Sequence, residues 1–185
     1  MKKTQVLIAL ACIAMPALLK SQCKTDSVIS YEVESGTTVK LPVISSKYVY
    51  GVNDTLKGTK SYFWNTSNSK WELSMRQNYE YNSIGKNSRT ITQSLVASVW
   101  ENAGKLESLY DAKGNRILFK QSNWNKVNNA FDNSYKDSFT FDANNNNILD
   151  IKQTWDKNAA KWLNVSRTEN IYSSNVTTVY FSNWN

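Results

Sequence analysis

The chain has 185 residues, 22 basic and 15 acidic side chains, and no histidine. The absence of histidine excludes every histidine-dependent catalytic triad and removes the commonest general base and metal ligand. The net charge is +7, and it falls to +4 without Lys2, Lys3 and Lys20 (22 − 3 = 19 basic against 15 acidic side chains). This remaining charge is spread along the chain, which is typical of a solubilising surface and not of nucleic-acid binding.

Residues 1–21 have the organisation of a secretory signal peptide. Lys2 and Lys3 precede an apolar run, Val6–Met15, that is too short to span a bilayer. We expect cleavage before Gln22 and export, either as a secreted protein or as a component of the cell envelope. The alternative is a lipoprotein in which Cys23 is the acylated first residue. No later apolar run approaches the length of a membrane helix, so the sequence predicts no transmembrane segment.

Residues 22–47 contain two strand-like stretches, Val28–Val33 and Thr37–Ile44, that lack the spacing of the later chain. We therefore predict N-terminal capping strands over 22–47. Beyond Pro42 the chain contains no proline and is rich in Asn, Ser, Thr, Tyr and Trp. This composition favours strands joined by polar turns.

Residues 48–185 form a repeat domain of about four units and a partial fifth. Its anchor residues are Tyr50, Tyr81, Tyr110, Phe141 and Tyr172, at steps of 31, 29, 31 and 31. Ten residues before the last four anchors stand Trp71, Trp100, Phe131 and Trp162. Seven residues before three of those stand the loop tryptophans Trp64, Trp124 and Trp155. The second unit is two residues shorter, and Gln93 stands where its loop tryptophan is expected.

Each repeat unit is interpreted as two strands and two turns. Gly85, Gly114 and Asn145 lie four residues after their anchors, which predicts a tight turn with a left-handed residue. The polar stretch between the two aromatic residues predicts a second turn with a cross-strand aromatic pair, worth roughly 0.2–1 kcal/mol. Strict alternation in the second strand predicts one shared face for Trp71, Leu73, Met75, Tyr79 and Tyr81.

The predicted fold class is all-β, an antiparallel meander of tandem ~31-residue β-hairpin repeats. Roughly ten strands would form either a twisted open sheet or a coiled, barrel-like arrangement. The expected inward positions mix Trp and Tyr with Asn, Ser and Gln, which fill a dry interior poorly. That mixture favours an open or strongly coiled meander.

One repeat unit begins Tyr110-Asp111-Ala112-Lys113-Gly114-Asn115, and the next begins Phe141-Asp142-Ala143-Asn144-Asn145-Asn146. These stretches resemble the Y-D-x-x-G-N theme of Y-D (Rhs-type) repeats. The longer unit with its Trp-flanked loop is similar to hairpin arrays in proteins secreted by Bacteroidota. The resemblance covers about residues 50–185 and implies an extracellular or cell-envelope β-repeat protein.

The same resemblance suggests two modification sites. Asp26-Ser27-Val28 and Asp54-Thr55-Leu56 resemble the Asp-Ser/Thr-aliphatic acceptor for O-glycosylation in that phylum. Ser27 and Thr55 are therefore candidate O-glycosylation sites.

No catalytic, cofactor-binding or metal-binding constellation emerges from the sequence. Asp111 and Asp142 are the nearest approach to a glycosidase pair, but they occupy the same repeat position. Turn-forming hydrogen bonds to nearby amides explain both. The spacing of Asp111, Asp132, Asp142 and Asp156 matches no calcium loop. We therefore predict a non-enzymatic protein without a cofactor.

The leading functional hypothesis is a secreted or cell-envelope β-repeat protein that acts by surface interaction or adhesion. Its partner would be an unknown protein or glycan at the cell surface. The alternative is a carbohydrate-binding module whose repeat tryptophans stack on sugar rings, namely Trp64, Trp71, Trp124, Trp155 and Trp162. Packing on the neighbouring hairpin would explain the same spacing. A secreted hydrolase with a carboxylate site is a third hypothesis.

Overall fold

The computed structural model describes residues 4–9, 25–33, 40–51, 54–173 and 176–184. These residues form twelve strands, β1 (Thr4–Ala9), β2 (Ser27–Val33), β3 (Lys40–Tyr50), β4 (Leu56–Asn65), β5 (Lys70–Tyr81), β6 (Asn87–Val96), β7 (Val99–Tyr110), β8 (Arg116–Asn125), β9 (Ala130–Phe141), β10 (Asn147–Asp156), β11 (Lys161–Ser173) and β12 (Val176–Asn183). Their order is linear from β1 to β12. The all-β open meander is therefore confirmed. β1 falls within the segment predicted as a signal peptide, while Cys23 and the predicted cleavage site lie outside the described residues.

The chain divides into two compact bodies. The first comprises Met1–Asn78 and Thr92–Glu101, so it holds the N-terminal hairpins and the tip of the β6–β7 hairpin. The second comprises Tyr79–Ile91 and Asn102–Asn185, so it holds the remaining hairpins of the repeat domain.

Neither body has a conventional core among the residues that the structure describes. No apolar side chain is buried there, and the buried polar side chains are the small Ser45, Thr90, Ser122 and Ser166. Most other strand residues are half-buried. Stability must therefore come from cross-strand side-chain pairs, from this partial burial and from backbone hydrogen bonds, because no large apolar side chain among the described residues is fully removed from water.

Two β-bulges recur at fixed distances from the anchors. One lies seven residues before an anchor, at Val43, Ser74, Ser134 and Val165. The other lies seven residues after an anchor, at Lys57, Ile117 and Ile148. Val43 belongs to the β2–β3 hairpin, so the repeat geometry extends into a region whose sequence lacks the repeat spacing.

The bulge at Ser74 overturns the predicted single face of β5. Leu73 pairs with Tyr62, whereas Met75 pairs with Ser61. Ser61 and Tyr62 are neighbours in β4, so their side chains point to opposite faces of the sheet. Directly opposite residues share a face, so Met75 and Leu73 also lie on opposite faces. The alternation predicted across the whole strand was wrong because the extra residue reverses the side-chain direction at this point.

The turns that follow the anchors have the predicted backbone conformation. The fourth residue after the anchor has a positive φ in Gly85 (74°), Gly114 (84°) and Asn145 (67°). Asp54 lies four residues after Tyr50 and has a φ of 62°, so the first repeat unit has the same left-handed turn residue, which was not predicted from the sequence. Glycine and asparagine recur here because they accept the left-handed region at little steric cost.

The turns at the opposite ends of the hairpins have two lengths. Three loops contain four residues (66–69, 126–129 and 157–160) and end in a positive φ at Ser69, Asn129 and Ala160. The β6–β7 loop contains only Ala97 and Ser98, both with positive φ, as in a type I′ turn. The shorter loop accounts for the 29-residue spacing of the second repeat unit.

This loop length also corrects the predicted role of Gln93. Counted from the turn, Leu95 and Trp100 occupy the places that Trp64 and Trp71 occupy beside their longer loop. Leu95, and not Gln93, therefore replaces the loop tryptophan. The prediction was wrong because it assigned the two missing residues to the strand and not to the loop.

Candidate functional site

Each four-residue loop is bracketed by two aromatic rings on directly opposite residues. The pairs are Trp64–Trp71, Trp124–Phe131 and Trp155–Trp162, with ring centroids 5.3, 4.8 and 5.1 Å apart and interplanar angles of 70°, 67° and 66°. The strand register pairs the same residues. The predicted cross-strand aromatic pairs are confirmed, and their edge-to-face geometry is the favourable one for two π systems.

A cation from one hairpin stands over an aromatic ring of the next. Arg76 Cζ lies 4.3 Å from the Trp100 ring centroid, Lys105 Nζ lies 5.4 Å from that of Phe131, and Lys136 Nζ lies 4.7 Å from that of Trp162. All three cations stand five residues before an anchor. These cation–ring contacts were not predicted from the sequence, although the constant spacing of the three cations from the anchors was a signal that could have revealed them.

These contacts bear on the predicted sugar-stacking tryptophans. Trp64 and Trp71 lie in the first compact body, and the other three candidates lie in the second. All five are half-buried, and each lies in an edge-to-face pair. Lys136 also stands over the ring of Trp162. Part of the ring surface that a sugar would stack on is therefore already in contact with other side chains of the sheet.

Asp111 and Asp142 each organise their own turn. Oδ1 of Asp111 accepts hydrogen bonds from the backbone N–H groups of Lys113 and Asn115, each at 2.9 Å. Its Oδ2 accepts one from Asn115 Nδ2 at 2.9 Å. The carboxylate of Asp142 makes the same three bonds within its turn. The turn-forming interpretation is therefore confirmed.

These bonds favour the ionised form of both carboxyl groups. The Asn115 carboxamide makes the largest contribution to lowering the pKa of Asp111, and the turn amides add to it. The corresponding carboxamide, Asn146, lowers the pKa of Asp142. A carboxyl with a lowered pKa and its oxygens already engaged is poorly suited to act as a general acid.

A second contact ties together the strands beside the loops. Asn65 Nδ2 donates to Glu72 Oε1 at 2.7 Å, and Asn125 Nδ2 donates to Asp132 Oδ2 at 2.8 Å. Asp132 Oδ2 also accepts from Lys157 Nζ at 3.0 Å. The Asn125 and then the Lys157 hydrogen bond lower the pKa of Asp132. This carboxylate, one of the acidic loop residues noted in the sequence, thus has an amide and an ammonium as partners.

A cavity of about 400 Å³ lies where the β8–β9 and β10–β11 hairpins approach their loops. Its lining includes Trp124, Asp132, Thr154, Trp155 and Lys157. The pairing of β9 with β10 ends at Tyr135–Thr154, so the two hairpins have no ladder between them beyond that point. The cavity brings together two of the predicted tryptophans with polar groups that the sequence analysis had not associated with them.

A carboxylate pair in the second body was missed altogether. The Tyr135 hydroxyl donates to Asp137 Oδ1, and Oδ1 of Asp150 is buried without a hydrogen-bond partner. Burial, and then the charge of Asp137, raise the pKa of Asp150. Burial and the bond to Asp137 raise the pKa of Tyr135. Among the described residues, no three or more His, Cys, Asp or Glu side chains are grouped to hold a metal ion.

The two candidate O-glycosylation sites lie in different local structures. Ser27 begins β2, pairs with Lys47 and is half-buried. Thr55 lies in the turn after Tyr50, and its carbonyl oxygen accepts a hydrogen bond from Gly51 N at 2.8 Å. Over the part of the chain that the structure describes, no helix is long and apolar enough to cross a membrane.

No protein-family model and no curated protein matches this chain. Similar solved structures include a DUF3836 family protein from Bacteroides vulgatus ATCC 8482, with 16% identity, a TM-score of 0.42, and coverage of 58% of this chain and 98% of that chain. Another is a protein of unknown function from Bacteroides fragilis NCTC 9343, with 17% identity, a TM-score of 0.39, and coverage of 90% and 92%. A DUF3836 family protein from Parabacteroides distasonis ATCC 8503 has 16% identity, a TM-score of 0.37, and coverage of 58% and 91%. None of these descriptions names an activity, and at this similarity the matches carry no argument about function.

Proposed function

We propose that this chain is an exported, non-enzymatic β-repeat protein that acts by binding through its surface, as an adhesive or envelope-interacting module. The observation that carries the proposal is the exposure of large apolar side chains on strands. Ile44 and Phe63 are directly opposite each other in the first body and are 46% and 42% exposed. Leu109 in the second body is 57% exposed. Exposed apolar groups that cluster favour association with a partner.

The state of the carboxylates supports a binding role over a hydrolytic one. Asp111 and Asp142 are engaged in their turns, and Asp132 is engaged by Asn125 and Lys157. Hydrolysis by two carboxyl groups needs one of them to retain its proton near neutral pH, whereas the pKa values of these three are lowered. The pKa of Asp150, beside Asp137, is raised, so this is the pair to which any released sugar would point.

The alternative function, a carbohydrate-binding module, is favoured by one observation. Trp124 and Trp155 are both among the residues that line one polar cavity, and sugar sites usually combine aromatic and hydrogen-bonding residues. Their rings form pairs on the strand face opposite to Asn123 and Thr154, which limits the ring surface that a sugar in the cavity could contact. Trp162 supports it less, because Lys136 stands over its ring.

The proposal is tested by incubating the mature chain, residues 22–185, with insoluble polysaccharides and with bacterial envelope fragments. Retained protein and released soluble sugar are both measured. We expect retention without sugar release, and we expect the double variant Ile44→Ser with Phe63→Ser to lose retention on a partner that contacts the first body. A Lys70→Ser variant, changed at an exposed position beside a loop, is the control. Sugar release that follows the added protein would contradict a non-enzymatic role, and retention on no material would contradict surface binding.

A further inference from the structure

We propose that the cleft between the tips of the β8–β9 and β10–β11 hairpins binds one unit of a neutral saccharide. This inference rests on the proposed binding function and names a ligand class and a site for it. The two hairpins pair with each other only as far as Tyr135–Thr154, yet each continues to its own aromatic pair. The strands therefore separate toward their loops and leave a cleft of about 400 Å³. That volume is within the range of small-molecule sites.

Asp132 and Asn123 form the polar centre of the cleft. They are directly opposite each other on β9 and β8, and both line the cavity. The bonds from Asn125 and Lys157 both reach Oδ2 of Asp132, which leaves Oδ1 to accept from a ligand hydroxyl. The Asn123 carboxamide supplies N–H donors beside it. A carboxylate acceptor next to an amide donor matches two adjacent hydroxyl groups, the repeated feature of a sugar ring.

The charges of the cleft disfavour a cationic ligand. Lys157 Nζ lies 3.0 Å from Asp132 Oδ2, so the carboxylate already has a cationic partner. A cationic ligand would compete with Lys157 and would face a second ammonium group, Lys126, which also lines the cavity. Lys126 makes an anionic ligand the competing outcome, which hexagalacturonate tests. The hydroxyl of Thr154 and the residues Trp124 and Trp155 complete the lining with neutral groups.

The first body contains a matched position that lacks this pair. Glu72 occupies the repeat position of Asp132 and holds Asn65 in the same way. However, Glu72 is directly opposite Phe63, so an aromatic side chain takes the place that the Asn123 carboxamide has opposite Asp132. In addition, Asn68 Nδ2 donates to the same oxygen at 2.7 Å. Glu72→Gln thus weakens an equivalent strand contact without touching the cleft.

The test is calorimetric titration of the mature chain with soluble hexasaccharides of glucose, mannose and xylose, and with hexagalacturonate as the anionic probe. We expect one neutral hexasaccharide to bind. We expect Asn123→Ala and Asp132→Asn each to weaken that binding by about tenfold or more, because each change removes or weakens a hydrogen bond to the ligand. Glu72→Gln should change it by less than about twofold.

Circular dichroism melts of all three variants separate a lost site from a lost fold. Asp132→Asn and Glu72→Gln should lower thermal stability to a similar extent, while only the former weakens binding. The proposal is overturned if no neutral hexasaccharide binds, if hexagalacturonate binds more tightly, or if binding survives both cleft substitutions. If both variants are still retained on polysaccharide or envelope material, the cleft is not the binding site, and the proposal of binding through the surface is unaffected.

Discussion

Substitution of Gly58 by alanine tests how closely the backbones of β4 and β5 approach each other. A Cβ at this position would lie 2.1 Å from the carbonyl oxygen of Gln77 and 3.2 Å from its carbonyl carbon, whereas ordinary contact begins near 3.4 Å. The obstacle is backbone of the paired strand, which cannot rotate away as a side chain can. Gly58→Ala must therefore displace β4 from β5, and we expect it to lower the free energy of unfolding by about 1–3 kcal/mol, the usual cost of overpacking.

Gly104 provides the matched control. A Cβ there would lie 3.6 Å from the carbonyl oxygen of Ser122, an ordinary contact, and its φ is not in the left-handed region. The same substitution should therefore be neutral or should stabilise the protein by roughly 0.5–1 kcal/mol, because alanine loses less backbone freedom on folding. The two changes thus have opposite expected signs.

Urea unfolding followed by circular dichroism measures both effects. With unchanged dependence on denaturant, a shift of the midpoint reports the change in the free energy of unfolding. Gly58→Ala should unfold at lower urea than the parent, and Gly104→Ala at the same or higher urea. A Gly58→Ala protein as stable as the parent, or equal shifts in both variants, would refute the close approach of the two strands.

Four further changes test the turns and the side-chain pairs. Gly85→Ala places a side chain at a φ of 74° in open space, so backbone strain alone should cost about 1–2 kcal/mol in urea unfolding, while Gly85→Asn should cost less. A double-mutant cycle with Trp155→Ala and Trp162→Ala should give a coupling free energy of about 0.5–1.5 kcal/mol, and additive effects would contradict the edge-to-face contact. The pKa of Asp142 is lowered in the folded protein. The stability that its charge contributes should therefore be complete above pH 3.8, the ordinary pKa, and should disappear as the pH falls through the lowered pKa. The Asp142→Asn variant should lack this pH dependence. The pKa of Asp150 is raised, so its charge opposes folding at neutral pH. The Asp150→Asn variant should therefore unfold at a higher urea concentration than the parent at pH 7, and this gain should shrink as the pH falls below the raised pKa. An unchanged urea midpoint at pH 7 would contradict the burial of Asp150.

The features that sequence predicts correctly here are local and periodic. The aromatic anchors fix where strands end, and the recurring Gly and Asn residues fix the left-handed turn residue, as in Gly85, Gly114 and Asn145. The cross-strand partner of Trp155 could be predicted because only a short polar loop separates it from Trp162. In each case the physical cause lies within about one hairpin.

The features that sequence misses depend on the bulges. A bulged residue has no distinctive composition, since Ser74, Ser134, Val165 and Ile117 all occupy such places. Without the bulge position, side-chain direction cannot be followed along a whole strand. The proximity of Tyr135 and Asp137 to Asp150 therefore became visible only from the strand register.

The identical bulges have a consequence for partner choice during folding. A bulge fixes the register of one strand pair, because sliding either strand would set its extra residue against a regular pair. A bulge does not distinguish one repeat unit from another, because β9 and β11 have their bulges at Ser134 and Val165, at the same distance from their anchors. The four-residue loop is what brings β8 to β9 before a look-alike strand of the next repeat can compete, because a short loop closes at the smallest entropy cost. Lengthening the loop between Asn125 and Ala130 would therefore raise the entropy cost of pairing β8 with β9 and favour competition from similar strands of the same chain.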